Sequence, residues 1–135
     1  MPSPAMNADE QAIRSLIDRW HTATAAGDVE AVLELMTDDA VFLAAGRPPM
    51  RGRKAFAAGL RKLLETHTVE SSAAVQEVEV SGDLAYSWSV LTVRMTEKTG
   101  KESSSRSGSA LSILRRDAAG RWALMRDANL LGPPA

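Results

Sequence analysis

A carboxylate and an amide lie two residues apart in the last predicted strand of this sequence. Asp127 and Asn129 are placed by alternation on one face of that strand with Met125 and Leu131. Burial among apolar side chains raises the pKa of a carboxyl group unless a cation or hydrogen-bond donors stabilise its charge. Such a group exchanges protons near neutral pH and would serve as a general acid-base catalyst. The alternative is that Asp127 pairs with an arginine and only stabilises the fold, because buried carboxylates are commonly paired.

The other reactive residue types form no recognisable catalytic or metal site. The chain has no cysteine, which excludes disulfides, thiol nucleophiles and thiolate metal ligands. His21 and His67 lack the spacing of a zinc site, and we expect both as surface or rim residues. Residues 46–52 lack the lysine and the serine or threonine of a phosphate-binding loop. We therefore predict no metal and no cofactor.

A cluster of basic residues precedes the third predicted helix. It has two interpretations, a solvated loop or a positive lip that attracts an anionic ligand; its members are Arg47, Arg51, Arg53 and Lys54.

Length and composition predict one globular domain. The 135 residues are 44% hydrophobic and 24% charged, with a formal net charge of -1. This charge gives no reason to expect binding to nucleic acid or to an acidic membrane. No secretory signal or membrane-spanning run is visible, so we expect a cytoplasmic protein. We predict a disordered tail at residues 1–6, a single domain at 7–131 and a second tail at 132–135.

The apolar pattern changes from helical to strand spacing along the chain. Up to about Glu65 it predicts three helices, with a short strand at residues 40–44 between the second and third. After Val69 it predicts four long strands, and a phase change near Gln76 indicates a β-bulge. The order predicts an α+β fold, in which three N-terminal helices pack in a strongly curved, mostly antiparallel sheet around an internal hollow.

Two tryptophans are candidates for the wall of that hollow. Trp20 ends the apolar face of the first helix, which is consistent with the core and equally with a pocket wall. Trp88 alternates with Tyr86 and Val90 in a strand. Large apolar residues on both phases of the sheet predict that its outer face buries against a second subunit, so we expect a homodimer.

Short motifs in a fixed order make the chain resemble the nuclear transport factor 2-like superfamily over about residues 8–131. They are Ala26-Gly27-Asp28, Met36-Thr-Asp-Asp-Ala40, Pro49-Met50-Arg-Gly-Arg53, Gly82-Asp83-Leu-Ala-Tyr86, and Gly120-Arg-Trp122 with Arg126-Asp127. This superfamily includes ketosteroid isomerase, the SnoaL-like polyketide cyclases and the SgcJ/EcaC-type group. The resemblance implies a cystatin-like cone of helices and curved sheet, often dimeric, with a largely apolar pocket.

The resemblance implies two candidate mechanisms, that of ketosteroid isomerase and that of the SnoaL-like cyclases. Ketosteroid isomerase uses a tyrosine and two aspartates, where this chain has Trp20, Ala44, and Leu111 or Ser112. That mechanism is therefore not expected, although the same register implies that Phe42 faces the hollow. SnoaL-like cyclases are similar in using one pocket aspartate as acid-base, a role that the resemblance would give to Asp127.

These observations predict a small-molecule pocket protein for an apolar or amphipathic ligand. It would be a binder or a cofactor-free isomerase or cyclase, with Asp127 and Asn129 at the polar end and a wall of Trp20, Phe42, Met50 and Trp88. The alternative is a non-catalytic dimeric scaffold or interaction protein whose hollow is filled by its own side chains.

Overall fold

The computed structural model of the chain describes residues 7–132. Three helices and six strands follow one another as α1 (Ala8–Ala26), α2 (Val29–Leu33), β1 (Met36–Ala44), β2 (Met50–Arg51), α3 (Arg53–Thr66), β3 (His67–Ser81), β4 (Leu84–Glu97), β5 (Ser103–Arg116) and β6 (Trp122–Asn129). None of these three helices combines the length and the apolar character needed to cross a bilayer. The tail predicted at residues 1–6, and residues 133–135 of the second one, lie outside the described range. Gly132 donates a backbone hydrogen bond to Ser107 at 2.9 Å.

All six strands form one curved sheet in the order β2-β1-β6-β5-β4-β3. The pairing of β1 with β6 is parallel and every other pairing is antiparallel. The predicted α+β class with a curved, mostly antiparallel sheet is therefore confirmed. The description of three N-terminal helices needs a correction, because α3 follows β1 and β2 in the chain. The two-residue strand β2 was not among the predicted strands.

The helix ends follow the capping residues that the sequence provides. The Asn7 side chain accepts a hydrogen bond from Glu10 N at 2.8 Å, and Asp28 does the same for Ala31 N at 3.1 Å. Gly27 ends α1 with φ of 71°, a left-handed conformation that glycine adopts without strain. These residues set the two ends of α1, which packs against β3 and β6.

Two bulges set which side chains face the helices. The register of β3 against β4 shifts between Val75 and Glu77, which confirms the bulge predicted near Gln76. A second shift lies in β6, where the partners of β5 pass from Leu124 to Arg126. The expectation that Met125 shares a face with Asp127 is therefore wrong.

The concave side of the sheet is packed at one end and open at the other. Ile13 and Leu16 of α1 pack with Ala85, Leu114 and Trp122 at the closed end. A second cluster joins α2 to the first and last strands through Val32, Met36, Ala40 and Leu124. Leu16 and Leu124 belong to these clusters and also line the cavity described below.

Candidate functional site

A cavity of about 350 Å³ lies between α1, α3 and the inner face of the sheet. Its existence follows from side-chain size. The inner face of β3, β4 and β5 presents several small residues where a filled core would carry leucine or valine. Those that line the cavity are Ser71, Ala73, Ser89, Ala110 and Ser112.

Asp127 is the carboxyl group in this cavity. In the sheet register it lies between Phe42 of β1 and Ser112 of β5. The Ser112 hydroxyl donates to Asp127 Oδ1 at 2.7 Å, and Oδ2 accepts from no group within residues 7–132. Burial raises the pKa of the Asp127 carboxyl above its ordinary value, and the hydrogen bond from Ser112 opposes that rise.

Asp127 has no ion-pair partner in the described part of the chain. The ion pairs there join other residues, among them Arg116 with Asp9 at 2.9 Å and Arg53 with Asp38 at 2.8 Å. The arginine pairing considered for Asp127 is thus not seen between residues 7 and 132. A carboxyl group with one hydroxyl donor and no cation is suited to proton exchange.

Asn129 lies two residues after Asp127 on β6. In the sheet register it lies between Ala44 of β1 and Ala110 of β5. Its Oδ1 accepts from Leu131 N at 3.4 Å, so the amide is oriented by the backbone that follows β6. Both side chains line the cavity, and their part in ligand binding stays a prediction.

Three aromatic rings form the wall beside this polar end. The Trp20 ring centre lies 6.1 Å from Phe42 and 5.5 Å from Phe56, and the two phenylalanines are 4.6 Å apart. Trp20 packs against both core clusters and also lines the cavity, so it has both of the roles considered for it. Met50 pairs with Phe42 across β1 and β2 and lines the cavity too.

Trp88 does not belong to this wall, and its predicted place is wrong. Along β4, Ser87 and Ser89 are buried on the inner face while Trp88 is 37% exposed on the outer one. The small residues of this strand face inward because they leave the space that the cavity occupies. Trp88 instead joins an outer apolar patch with Leu84, Tyr86, Val90 and Leu111.

His21 is a cavity residue that we expected at the surface or rim. It is half-buried on α1, and its Nδ1 lies 2.6 Å from Ser71 Oγ. Burial lowers the pKa of the imidazole below 6.5, while the charge of Asp18 opposes that fall. Its position four residues after Ile17, which also lines the cavity, is the helical spacing that signals an inward side chain.

The basic cluster before α3 is divided by the structure. Arg47 lines the cavity beside Pro48. Arg53 instead donates to the Met36 carbonyl at 2.7 Å and pairs with Asp38, so it fixes the start of α3 to β1. Arg47 is thus the member of this cluster that is placed to meet a ligand.

The polar groups of the cavity suit proton transfer. Between residues 7 and 132, no three histidine, aspartate or glutamate side chains converge in a way that could hold a metal ion. The polar groups described above are one carboxyl, one amide, hydroxyls, one imidazole and the Arg47 guanidinium, within a mostly apolar wall. A carboxyl group in that setting can donate or accept a proton at a bound molecule.

Solved structures with the same fold cover nearly the whole chain. A conserved protein from Planctomyces limnophilus is 38% identical, with 95% of this chain and 98% of that one aligned at a TM-score of 0.90. A ketosteroid isomerase-like protein from Erwinia carotovora atroseptica is 26% identical, covering 96% and 100%, with a TM-score of 0.83. The hexachlorocyclohexane dehydrochlorinase LinA-type3 from Novosphingobium barchaimii shares the fold at 15% identity, covering 95% and 89%, with a TM-score of 0.81.

Sequence comparison agrees with the structural one. A search of curated proteins finds no match to this chain. The family model described as SnoaL-like domain matches residues 17–125, which include α1 from Ile17 and most of the sheet. The chain therefore belongs to the SnoaL-like domain family, within the nuclear transport factor 2-like superfamily.

Proposed function

We propose that this protein binds a small apolar or amphipathic molecule in the cavity and acts on it by acid-base catalysis without a cofactor. The reaction would be of the isomerase or cyclase type, in which Asp127 moves a proton at the bound molecule. The observation that carries the proposal is a half-buried carboxyl group, without an ion-pair partner among residues 7–132, on the wall of a mostly apolar cavity.

The neighbouring proteins support proton-transfer chemistry without defining a substrate. One similar structure is named ketosteroid isomerase-like and another is a dehydrochlorinase. The three-residue mechanism of ketosteroid isomerase does not carry over, because Ala44 stands in the place of its base. Leu111 is 46% exposed on the outer face, and Ser112 donates to Asp127. The proton transfer would therefore depend on Asp127 itself.

Burial of the carboxyl group supports this role energetically. A carboxyl group whose pKa is raised is a stronger base once ionised and a more available acid near neutral pH. The apolar wall also excludes water, which strengthens the interaction between Asp127 and a bound molecule. One such group contributes about 10²–10⁴-fold to a proton-transfer rate.

A non-catalytic dimeric scaffold is the second candidate, and the outer apolar patch favours it. Trp88 and Leu111 lie on adjacent strands in direct register, and both are substantially exposed. Such a patch is typical of a surface that binds another protein. We propose that a second copy covers it in a homodimer. An open cavity beside Asp127 is the feature that this candidate does not require.

The cytoplasmic location stays a prediction. So does the expected absence of nucleic-acid and membrane partners.

A generic carbon acid tests the catalytic proposal before the substrate is known. In 5-nitrobenzisoxazole, a base removes the ring C–H proton while the N–O bond breaks, which gives the coloured 2-cyano-4-nitrophenolate. We expect wild-type protein to accelerate this reaction, with a rate that rises with pH through the raised pKa of Asp127. Asp127→Asn should lower the rate about 10²-fold or more.

The matched control is Glu70→Gln, which removes a carboxylate from an exposed position on β3. It should leave the rate unchanged. Circular dichroism of each variant checks that the fold is intact. An equal rate in folded Asp127→Asn and wild-type protein would exclude Asp127 as the proton-transfer group.

A further inference from the structure

The cavity holds a second polar position that the proposed reaction does not use. His21 reaches it from α1, and Ser71 of β3 holds the imidazole Nδ1 at 2.6 Å. Nε2 has no hydrogen-bond partner within residues 7–132 and is the free polar atom of this side chain. Because burial lowers the pKa of His21, the ring is neutral at neutral pH.

His21 and Asp127 lie at diagonally opposite corners of the inner face. Ser71 is on β3 and Asp127 is on β6, with two strands between them. In the sheet register Ser71 pairs with Val93, which pairs with Arg106 on β5, whereas Asp127 pairs with Ser112. Each strand step is about 4.8 Å and each residue advances about 3.3 Å. Ser71, which contacts His21, is therefore separated from Asp127 along the sheet by three strand steps and six residues of register, so the two polar groups belong to different parts of the cavity lining.

The lining between the two corners is mainly apolar. Ala73, Leu91 and Ala110 line it from the sheet together with the hydroxyl of Ser89, and Ile17 and Trp20 line it from α1. A polar group placed there would lose its hydration and gain few partners, which is unfavourable. The cavity thus has a polar position at each of two ends and an apolar middle.

We propose that the ligand of this cavity is an elongated molecule with an uncharged polar group at each end, one bound by Asp127 and the other by His21. This inference rests on the proposed function, since it describes the ligand of the same cavity. It narrows the ligand class from any amphipathic molecule to one with two polar ends and an apolar body.

The chemistry of a neutral imidazole indicates which polar groups fit. It carries one N–H donor and one nitrogen acceptor, and the hydrogen bond to Ser71 decides which of them Nε2 provides. A hydroxyl group matches either case, because it both donates and accepts. A carboxylate or phosphate would prefer a charged histidine, so a hydroxyl or carbonyl end is favoured at His21.

The dependence of affinity on the length of straight-chain alcohols and diols tests whether the cavity has two polar positions. Binding of 1-alkanols and α,ω-alkanediols, from octane to tetradecane length, is measured by titration calorimetry. A diol too short to reach His21 should bind more weakly than the alkanol of equal length, because its second hydroxyl is buried without a partner. At the length that spans the cavity, the diol should bind about three- to tenfold more tightly than the alkanol.

Two substitutions test whether the higher affinity of the diol depends on His21 and Ser71. His21→Leu should remove the diol advantage, while the matched control His67→Leu should keep it. Ser71→Ala is the second variant, since it releases the imidazole without filling the cavity and should also reduce the advantage. Circular dichroism confirms that each variant is folded.

The outcomes separate this inference from the proposed function. Alkanol binding with no diol advantage at any length would overturn the two-ended ligand and leave the binding cavity standing. An advantage that persists in both His21→Leu and Ser71→Ala would also overturn it. Failure of wild-type protein to bind any alkanol or diol would overturn the binding cavity and, with it, this inference.

Discussion

Leucine in place of alanine should have opposite effects on stability at two positions of the inner sheet face. Ala110 of β5 lines the cavity, whereas Ala85 of β4 is 6% exposed within the cluster at the closed end. Both are alanines in central strands and point toward α1. The difference between them is whether the space in front of the methyl group is filled.

The magnitudes follow from three added carbon atoms. Each added carbon that fills empty space stabilises the folded chain by about 0.8 kcal/mol. Ala110→Leu should therefore raise the free energy of unfolding by up to about 2 kcal/mol. A cavity of about 350 Å³ has room for this side chain. Ala85→Leu must displace packed neighbours such as Leu114 and should lose about 1–3 kcal/mol.

Urea unfolding followed by tryptophan fluorescence measures both changes. The free energy of unfolding is obtained from the midpoint and slope of each transition. Ala110→Leu should also weaken the binding of decanol, because the leucine occupies part of the same space. A loss of stability at Ala110 as large as that at Ala85 would show that the interior is filled there and would refute the cavity.

Two further substitutions test separate parts of the structure. A Cβ on Gly108 would lie 2.1 Å from the Leu130 carbonyl oxygen. Gly108→Ala should therefore displace the segment after β6 and lower the melting temperature. An unchanged melting temperature together with unchanged hydrogen exchange of the Leu130 amide would contradict that contact. His21 has a lowered pKa in the folded chain, so unfolding takes up a proton below about pH 6.5 and the contribution of His21 to stability should fall as pH decreases through that value, whereas Asp127, whose pKa is raised, contributes with the opposite sign. His21→Gln should flatten this dependence in melting curves between about pH 8 and 5, and equal slopes for the two proteins would count against a buried neutral imidazole.

Local signals in the sequence were sufficient for the framework of the fold. The caps at Asn7 and Asp28 and the left-handed Gly27 depend on residues within four positions, so they could be predicted without tertiary contacts. The β3 bulge was visible because the apolar phase changes on either side of Gln76. These features set the two ends of α1 and the bulge in β3.

The second bulge was hidden because β6 carries apolar residues on both phases. Trp122 and Leu124 are buried before Met125, and Asp127 lines the cavity after it. Simple alternation placed Trp122 on the opposite face from Asp127. The shift became visible only in the pairing with Ile113 and Leu114 of β5.

The candidate site was predicted in part, and its errors have one physical cause. Asp127, Asn129, Trp20, Phe42 and Met50 all line the cavity. Trp88 was misplaced because large apolar residues ordinarily face inward, and here the inward positions are small. His21 was missed because its partner Ser71 is fifty residues away on β3. A fold that leaves space for a ligand reverses the usual relation between side-chain size and burial.

The titration of one carboxyl carbon tests the central claim most directly. In protein labelled with ¹³C at aspartate, the Asp127 side-chain resonance reports the charge of that group as pH changes, and Asp127→Asn assigns it. We expect a midpoint above 3.8, the ordinary value for aspartate, and a change in both midpoint and chemical shift when decanol fills the cavity. A midpoint at or below 3.8 that decanol does not alter would mean that Asp127 is solvated or paired, and would contradict an acid group buried in a ligand cavity.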